Sequence, residues 1–351
     1  MTSAAILRHL AFGLSLSVLS AVVVRSMIAL QVMDTPEARK AHDRPTPKGG
    51  GAGIVAAFVV GLVLLYNFAE FARLANEYFV GVIAASVAIA VVAFLDDLYD
   101  WPFTVKLGVQ LIAALVAVGT GIYVHNYSVP YVGPVYIGWF GAPATVVWLL
   151  LTTNAVNFID GLNGLAGGVM LIACAFLAAF SAAYGGWFCY AASGLLGAGL
   201  LGFLPFNFPH ARIFMGDVGS QFCGFMIAVL GVVASRFDRA ELSFLLVPML
   251  LSGVLFDVGF TLVRRALAGE RLTQPHRGHL YQIAQRSGVP AETVTFVHWA
   301  FAVYGGLCCL VFLSVSGDWK LLVLLMTVPP QLAWLAFVAS NAHRKGLEHW
   351  G

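Results

Sequence analysis

Apolar runs of membrane-spanning length recur along nearly the whole chain, at 10–30, 53–68, 79–95, 107–122, 142–155, 165–183, 187–206, 218–234, 242–262, 294–315 and 320–340. A bilayer core is about 30 Å thick and takes about 20 mostly apolar residues per helix. The pattern therefore predicts an all-α, polytopic integral membrane protein with about eleven transmembrane helices, the fifth of them short. Residues 1–351 read as a single transmembrane domain, without internal repeats or a low-complexity linker. The first run resembles a secretory signal, but it is longer than a usual signal core, and more membrane follows it. One stretch breaks the pattern: TTNAVNFIDGLNG at 152–164 is polar and hemmed in by apolar residues on both sides. Its Asn, Asp, Thr and Gly residues supply metal ligands, hydrogen-bond donors and tight turns, and it reads as the floor of an active site.

Composition agrees with the pattern. With 60% apolar and 10% charged residues, and a mean hydropathy of +0.87, the chain has too little polar surface for a soluble protein. A formal charge of +2, with the basic residues scattered over several loops, argues against a nucleic-acid partner. Cys174, Cys189, Cys223, Cys308 and Cys309 all fall in apolar runs without a CxxC pair, and read as small core residues.

Lys and Arg crowd one set of loops: Arg39, Lys40, Arg44, Lys48, Lys106, Arg212, Arg264, Arg265, Arg271, Arg277, Arg286, Arg344 and Lys345. The other set holds Arg8, Arg73, Arg236, Arg239 and Lys320. By the positive-inside rule the first set and the C-terminus face the cytoplasm and the N-terminus lies outside, with the lipid bilayer as surroundings. The outer stretch 123–140 is uncharged and rich in Tyr, which suits an aromatic interfacial belt, with His125 an interfacial hydrogen-bonder.

Chemistry collects in the inner loops, placed at 33–52, 96–106, 152–164, 207–217 and 263–293. The acids of the three middle loops are all Asp, short carboxylates that suit a hard cation such as Mg2+. Each signal also has a plainer reading. Asp96 and Asp97 fit an ordinary solvated helix end, although two adjacent carboxylates repel and call for Lys106 or a divalent cation nearby. Asp217, opening an apolar run, fits a helix N-cap. His276, Arg277 and His279 fit a basic loop drawn to anionic headgroups as well as a dense anion site. Lys48 with the three glycines that follow lacks the Walker spacing. Asp257 lies within the ninth run, and an ion pair with Arg264 or Arg265 is as good a reading as a catalytic one. Together, Asp, Asn, Lys, Arg and His on one membrane face point to an anionic, metal-bound, partly lipidic substrate and to phosphoryl transfer.

The ordered set DTPEARKAHDRPTP, FLDD with Lys106 beyond it, TTNAVNFIDGLNGL, RIFMGDVGS and HRGH resembles the polyprenyl-phosphate N-acetylhexosamine-1-phosphate transferase superfamily. Within it, HRGHLYQ looks like the bacterial O-antigen-initiating branch, whereas the related phospho-MurNAc-pentapeptide translocase has consecutive His here. The resemblance implies transfer of a sugar-1-phosphate from a UDP-N-acetylhexosamine to undecaprenyl phosphate with release of UMP, in the bacterial inner membrane. It implies that Asn157 and Asp217 ligate Mg2+, with Mn2+ as a substitute, and that Asp160 and Asn154 shape the same pocket. Phe214 would stack on uracil, with Gly161, Leu162 and Asn163 along its edge and Lys48 as a neighbour. Lys106 would hold a phosphate, and His276, Arg277 and His279 would grip the pyrophosphate and reach the sugar. Asp96 and Asp97 correspond to the essential pair. Dimers are common in the superfamily, so a homodimer is compatible.

Two phosphorylated substrates bring about four negative charges together, and repulsion between them is the main obstacle. Mg2+, Lys106 and Arg277 would offset it. A phosphate monoester has a second pKa near ~6, so the attacking oxygen is already ionised, and Asp96 is either a base or an orienting group. The competing reading is a secondary transporter with a cation or substrate site at a broken helix. The polar residues lie at predicted helix ends and no inverted repeat is visible, and both points count against it.

Overall fold

The computed structural model describes residues 3–34, 45–68, 76–99, 101–129, 133–235, 242–271, 274, 276–347 and 350. Arg39, Lys40 and Arg44 of the inner set, and Arg73, Arg236 and Arg239 of the outer set, lie outside the described residues.

Each predicted apolar run is helical. The first eight are α1 (Ser3–Leu30), α2 (Gly51–Phe68), α3 (Asn76–Tyr99), α4 (Phe103–Gly119), α5 (Gly141–Phe158), α6 (Leu165–Tyr184), α7 (Trp187–Asn207) and α8 (Gly216–Ala234). The ninth is broken at Leu251 into α9 (Leu246–Leu250) and α10 (Ser252–Leu267). Buried α11 (Leu280–Arg286) follows, then α12 (Ala291–Ser314). The last run divides into α13 (Gly317–Met326) and α14 (Pro329–Arg344), because Pro329 and Pro330 have no N–H to offer the preceding carbonyls. Among the described residues, eight helical segments are long and apolar enough to cross a membrane, with α13 and α14 taken as one. The only strands described form two short antiparallel ladders. One pairs Met33–Asp34 (β1) with Thr46–Pro47 (β2), and the other pairs Asn126–Val129 (β3) with Gly133–Tyr136 (β4).

The loops expected around the site are shorter than the sequence suggests. Residues 152–158 are the last turns of α5, 96–99 end α3, and 103–106 begin α4. Gly216 and Asp217 already belong to α8, and 263–293 contains the end of α10, all of α11 and the start of α12. Polar side chains on one face of a helix end lower the local hydropathy without interrupting backbone hydrogen bonding. The fifth helix is accordingly no shorter than α2, at 18 residues each.

The helix at the centre is α8. Its spanning window is 94% buried, against 22% for α1, so it is apolar all round for the reason a core helix is. It packs on α5, α3, α2, α7 and α6. Apolar attraction between helices is weak in lipid, and small residues that let backbones approach take its place. A Cβ at Gly224 would fall 2.8 Å from Thr153 Cα of α5, and one at Gly51 of α2 would overlap the Gly219 backbone. Beside that contact, the amides of Gly50 and Gly51 donate to the Phe214 and Met215 carbonyls, both at 2.9 Å. The start of α2 is thereby stitched to the start of α8. On the opposite surface Tyr136, Trp139 and Phe140 are exposed, as an aromatic belt requires, and His125 stacks on Tyr123 with ring centroids 4.0 Å apart.

Gly51→Val is expected to overpack the α2–α8 contact and to cost about 1–3 kcal/mol. Gly108→Ala, where an added Cβ meets nothing within 4 Å, serves as the control. Thermal unfolding in detergent should separate the two variants, and equal midpoints would refute the account of that contact.

Candidate active site

Helix alternation brings the C-terminal ends of α3 and α5 and the N-terminal ends of α2, α4 and α8 to one face of the bundle. The α8 terminus presents unsatisfied N–H groups and the positive end of a helix dipole. Asp97, reaching over from α3, accepts from the Asp217 and Val218 amides, each at 3.3 Å. Thus Asp217 is not its own helix's cap, as the plainer reading held; Asp97 does that work from a neighbouring helix. Gly216 makes room for it. Its φ of +75° suits glycine, and a Cβ there would stand 2.6 Å from Asp97 Oδ2. Lys48 Nζ, at 3.8 Å from Asp97 Oδ1, adds a cation from the other side.

Asp217 is freed to face the site. Its Oδ1 accepts from Asn157 Nδ2 at 2.9 Å, and its Oδ2 from Lys106 Nζ and Gln221 Nε2, both at 3.0 Å. Lys106 also contacts Asp96 Oδ2 at 2.5 Å, so one ammonium bridges two carboxylates and relieves the repulsion that the Asp96–Asp97 pair implies. Asp96 is further held by the Trp101 amide at 2.9 Å. In this arrangement Lys106, expected on a phosphate, is engaged by Asp96 and Asp217.

Behind this first layer is a buried amide chain absent from the sequence reading. Gln110 donates to Gln221 at 3.0 Å, Asn154 donates to Gln110 at 2.6 Å, and Asn157 donates to Ser220 at 2.9 Å. Gln110 lies one helical turn beyond Lys106, and Gln221 one turn beyond Asp217. Polar residues repeating at i+4 along an apolar helix were the available signal.

Asp160 lies just past α5 and makes no side-chain hydrogen bond among the described residues, though it is only partly shielded from solvent. Partial desolvation in the fold, with the Asp217 and Asp97 charges, pushes its carboxyl well above the usual range. Asp97, beyond the apolar part of α3, is raised to about 7 by burial and by Asp217, against the opposing pull of Lys48 and the α8 amides. Among the described residues no three His, Cys, Asp or Glu side chains stand as a metal cluster. Asp217 and the Asn157 carboxamide offer hard oxygen donors, a set that suits a cation retaining water and substrate oxygens, as Mg2+ does.

The remaining predicted residues surround this centre. Phe214 is anchored by its amide on Pro47 O at 2.8 Å. Leu162 is buried, and Asn163 donates to Pro209 O at 3.0 Å. Gly161 leaves space for the Tyr281 ring, whose hydroxyl donates to Phe158 O at 2.9 Å and ties α11 to the end of α5. His279 packs on Phe158, with centroids 5.7 Å apart, and His276 stacks on His279 at 4.9 Å. His276 is lowered to about 4 by burial and by the charges of His279, Arg265 and Arg264. Its Nδ1 accepts the Gly278 amide at 3.1 Å, so it is a neutral ring with its proton on Nε2, a donor and not a cation. The Arg277 carbonyl accepts from Arg286 at 3.1 Å. Asp257 does not pair with the arginines of its own helix. Arg265 turns to Glu270 at 2.7 Å, and Arg264 to the Gly278 and Trp350 carbonyls at 3.3 and 3.2 Å.

The site thus sets Asp96, Asp97 and Asp217 against Lys48 and Lys106 at a helix N-terminus, on a polytopic α-helical frame. Residues 79–235 match the family described as Glycosyl transferase family 4. The chain is 33% identical over 270 residues to the probable undecaprenyl-phosphate N-acetylglucosaminyl 1-phosphate transferase of Bacillus subtilis, covering 76% of this chain and 74% of that one. It is 26% identical over 257 residues to the undecaprenyl-phosphate alpha-N-acetylglucosaminyl 1-phosphate transferase of Thermotoga maritima, with 73% and 74% covered. It is 31% identical over 210 residues to the phospho-N-acetylmuramoyl-pentapeptide-transferase of Acetivibrio thermocellus, with 57% and 61% covered. The chain belongs to the polyprenyl-phosphate hexosamine-1-phosphate transferase superfamily, and it is a multi-pass membrane protein.

Asp97 gives a pH prediction. Its folded pKa lies above the ordinary value of 3.8, so the folded state binds the proton more tightly than the unfolded chain. Stability then falls as pH rises toward about 7 and levels off above it. Without divalent cations, the unfolding midpoint in detergent should rise between about pH 8 and about pH 6, and Asp97→Asn should flatten that slope. An identical slope in the variant would assign the proton elsewhere.

Proposed function

We propose that this chain transfers a sugar-1-phosphate from a UDP-N-acetylhexosamine to undecaprenyl phosphate at the cytoplasmic face of the bacterial inner membrane. The products are UMP and an undecaprenyl-pyrophosphate-linked sugar that initiates O-antigen or another cell-surface polysaccharide. The observation that carries the reading is the Lys106 ammonium held between Asp96 and Asp217, with Asn157 on the other Asp217 oxygen. A cation position is built there beside a helix N-terminus, where phosphates would arrive. Two relatives carry N-acetylglucosaminyl transfer in their names, which makes UDP-GlcNAc the first donor to try.

In this reading an oxygen of the lipid phosphate attacks the β-phosphorus of the nucleotide sugar. The bond from that phosphorus to the bridging oxygen breaks, and its electron pair leaves on UMP. The attacking oxygen is ionised near neutral pH, so no side chain has to remove a proton. Asp217 and Asn157 would hold Mg2+, which supplies charge neutralisation at the phosphates. Lys106 then exchanges a carboxylate for a substrate phosphate while Asp96 keeps its ammonium in place. Asp97 and Lys48 hold the α8 terminus rigid, which makes the arrangement preorganised. Asp160, whose side chain makes no hydrogen bond among the described residues, and Phe214 would meet the nucleoside. Arg277 and His279, on the loop that leads into α11, would act as donors to the pyrophosphate and sugar.

Purified protein given Mg2+, undecaprenyl phosphate and a panel of UDP-N-acetylhexosamines should release UMP with at least one sugar, and chelation should abolish it. Asp217→Asn should lose on the order of 100-fold in rate or metal affinity. No UMP from any donor would overturn the proposal, and a wild-type rate for the variant at limiting Mg2+ would remove Asp217 as a ligand.

A further inference from the structure

Asp257 is 1% exposed within α10, where an ionised side chain is costly unless it is fully engaged. It is engaged almost entirely by one short segment of chain. Its Oδ1 lies 3.0 Å from His279 Nδ1 and accepts the Leu280 amide at 3.0 Å, while its Oδ2 accepts the Tyr281 amide at 3.0 Å. The Thr261 hydroxyl stands 3.5 Å from Oδ1, and His298 Nε2 stands 3.9 Å from Oδ2. The segment so gripped carries His279, which packs on Phe158, and Tyr281, which is bonded to the Phe158 carbonyl. The same carboxylate therefore places the ring and locks the helix behind it against α5.

The chemistry of the contact settles the histidine's tautomer. A carboxylate only accepts, so Nδ1 of His279 must carry a proton whatever the charge of the ring. Nε2 is left as the one ring atom able to meet a substrate.

We propose that Asp257 is the positioning residue for His279: it fixes the Nδ1–H tautomer and aims Nε2 at the transferring phosphates. The proposal rests on the transferase reading above, and gives that reaction a carboxylate–histidine pair contributed by α10 and the start of α11. His298 is a second neighbour of the carboxylate, but its Nδ1 is spent on the Val294 carbonyl at 2.8 Å, within its own helix.

In Asp257→Asn an amide nitrogen must face either His279 and the Leu280 amide or the Tyr281 amide, so the variant disturbs the tautomer without emptying the space. UMP release by Asp257→Asn should fall by about 100-fold or more in kcat, with the KM for the UDP-sugar changed far less. Asp257→Glu should recover part of the loss. In a His279→Gln background, Asp257→Asn should cost nothing further, because the two residues act as one unit. Losses that multiply in the double variant, or a wild-type kcat for Asp257→Asn, would overturn the proposal. Nitrogen-15 histidine spectroscopy of the unsubstituted protein gives an arm that needs neither turnover nor a stable variant. His279 should show a protonated Nδ1, and an unprotonated Nδ1 would also overturn it. If the unsubstituted protein releases no UMP while the spectrum shows Nδ1–H, the reaction reading fails and the Asp257 contact stands.

Discussion

The structure turns on a carboxylate from one helix meeting the N-terminus of another. Asp97 of α3 sits on the Asp217 and Val218 amides, and this contact decides several things at once. It satisfies donors at the end of the most buried helix in the bundle, where water is scarce and an orphaned amide would cost about 1–3 kcal/mol. It requires glycine at 216, since any side chain there would meet the carboxylate. It also relieves Asp217 of capping its own helix. A short acid in the first turn of a helix ordinarily folds back onto the backbone; here the place is taken and the side chain points into the site.

Charge balance follows from that displacement. Asp96, Asp97 and Asp217 crowd together at the edge of an apolar bundle, and Lys106 and Lys48 are the cations in contact with them. Neither lysine can leave without stranding a carboxylate. In the proposed reaction a divalent cation or an arriving phosphate would change the partners of Lys106 without removing it from Asp96. The amide chain behind, from Asn154 through Gln110 to Gln221, has no net charge and can hold Asp217 in place through either state. A neutral support suits a site whose charge changes on binding, because it adds no repulsion of its own.

Much of this was legible in the sequence. The apolar runs gave the helices, since a bilayer leaves few other ways to satisfy a backbone. The polar island marked residues that the structure brings together with the other acids, as Asn157 with Asp217, and the neighbouring acids gave Lys106 as a partner. What failed did so for identifiable reasons. Residues 152–158 read as loop because polarity was taken for irregularity, whereas Asn154 and Asn157 lie on a helix and turn toward α4 and α8 respectively. For Asp257 the sequence left an ion pair with Arg264 or Arg265 open beside a catalytic reading, and the structure does not make that pair. Long arginine side chains extend toward the polar end of a span, and these find Glu270 and loop carbonyls there. A short aspartate cannot follow, and the segment that opens α11 supplies its partners instead. No local pattern announces such a contact. Gln110 and Gln221 could have been found, because two uncharged polar residues spaced one turn from Lys106 and Asp217 on apolar helices are a periodic signal.

The two halves of the site are joined through Phe158. Its ring meets His279 and its carbonyl holds the Tyr281 hydroxyl, while Asn157 beside it holds Asp217. The end of α5 thus lies between the carboxylate centre on one side and the histidine segment on the other. Asn157 and Phe158 are adjacent in the last turn of α5, so both clusters are set against one helix end. Gly161 is small enough to let the tyrosine reach that carbonyl. The polar island therefore does more than line a pocket: it is the rigid joint against which two separately built clusters are set, each with a buried aspartate at its root.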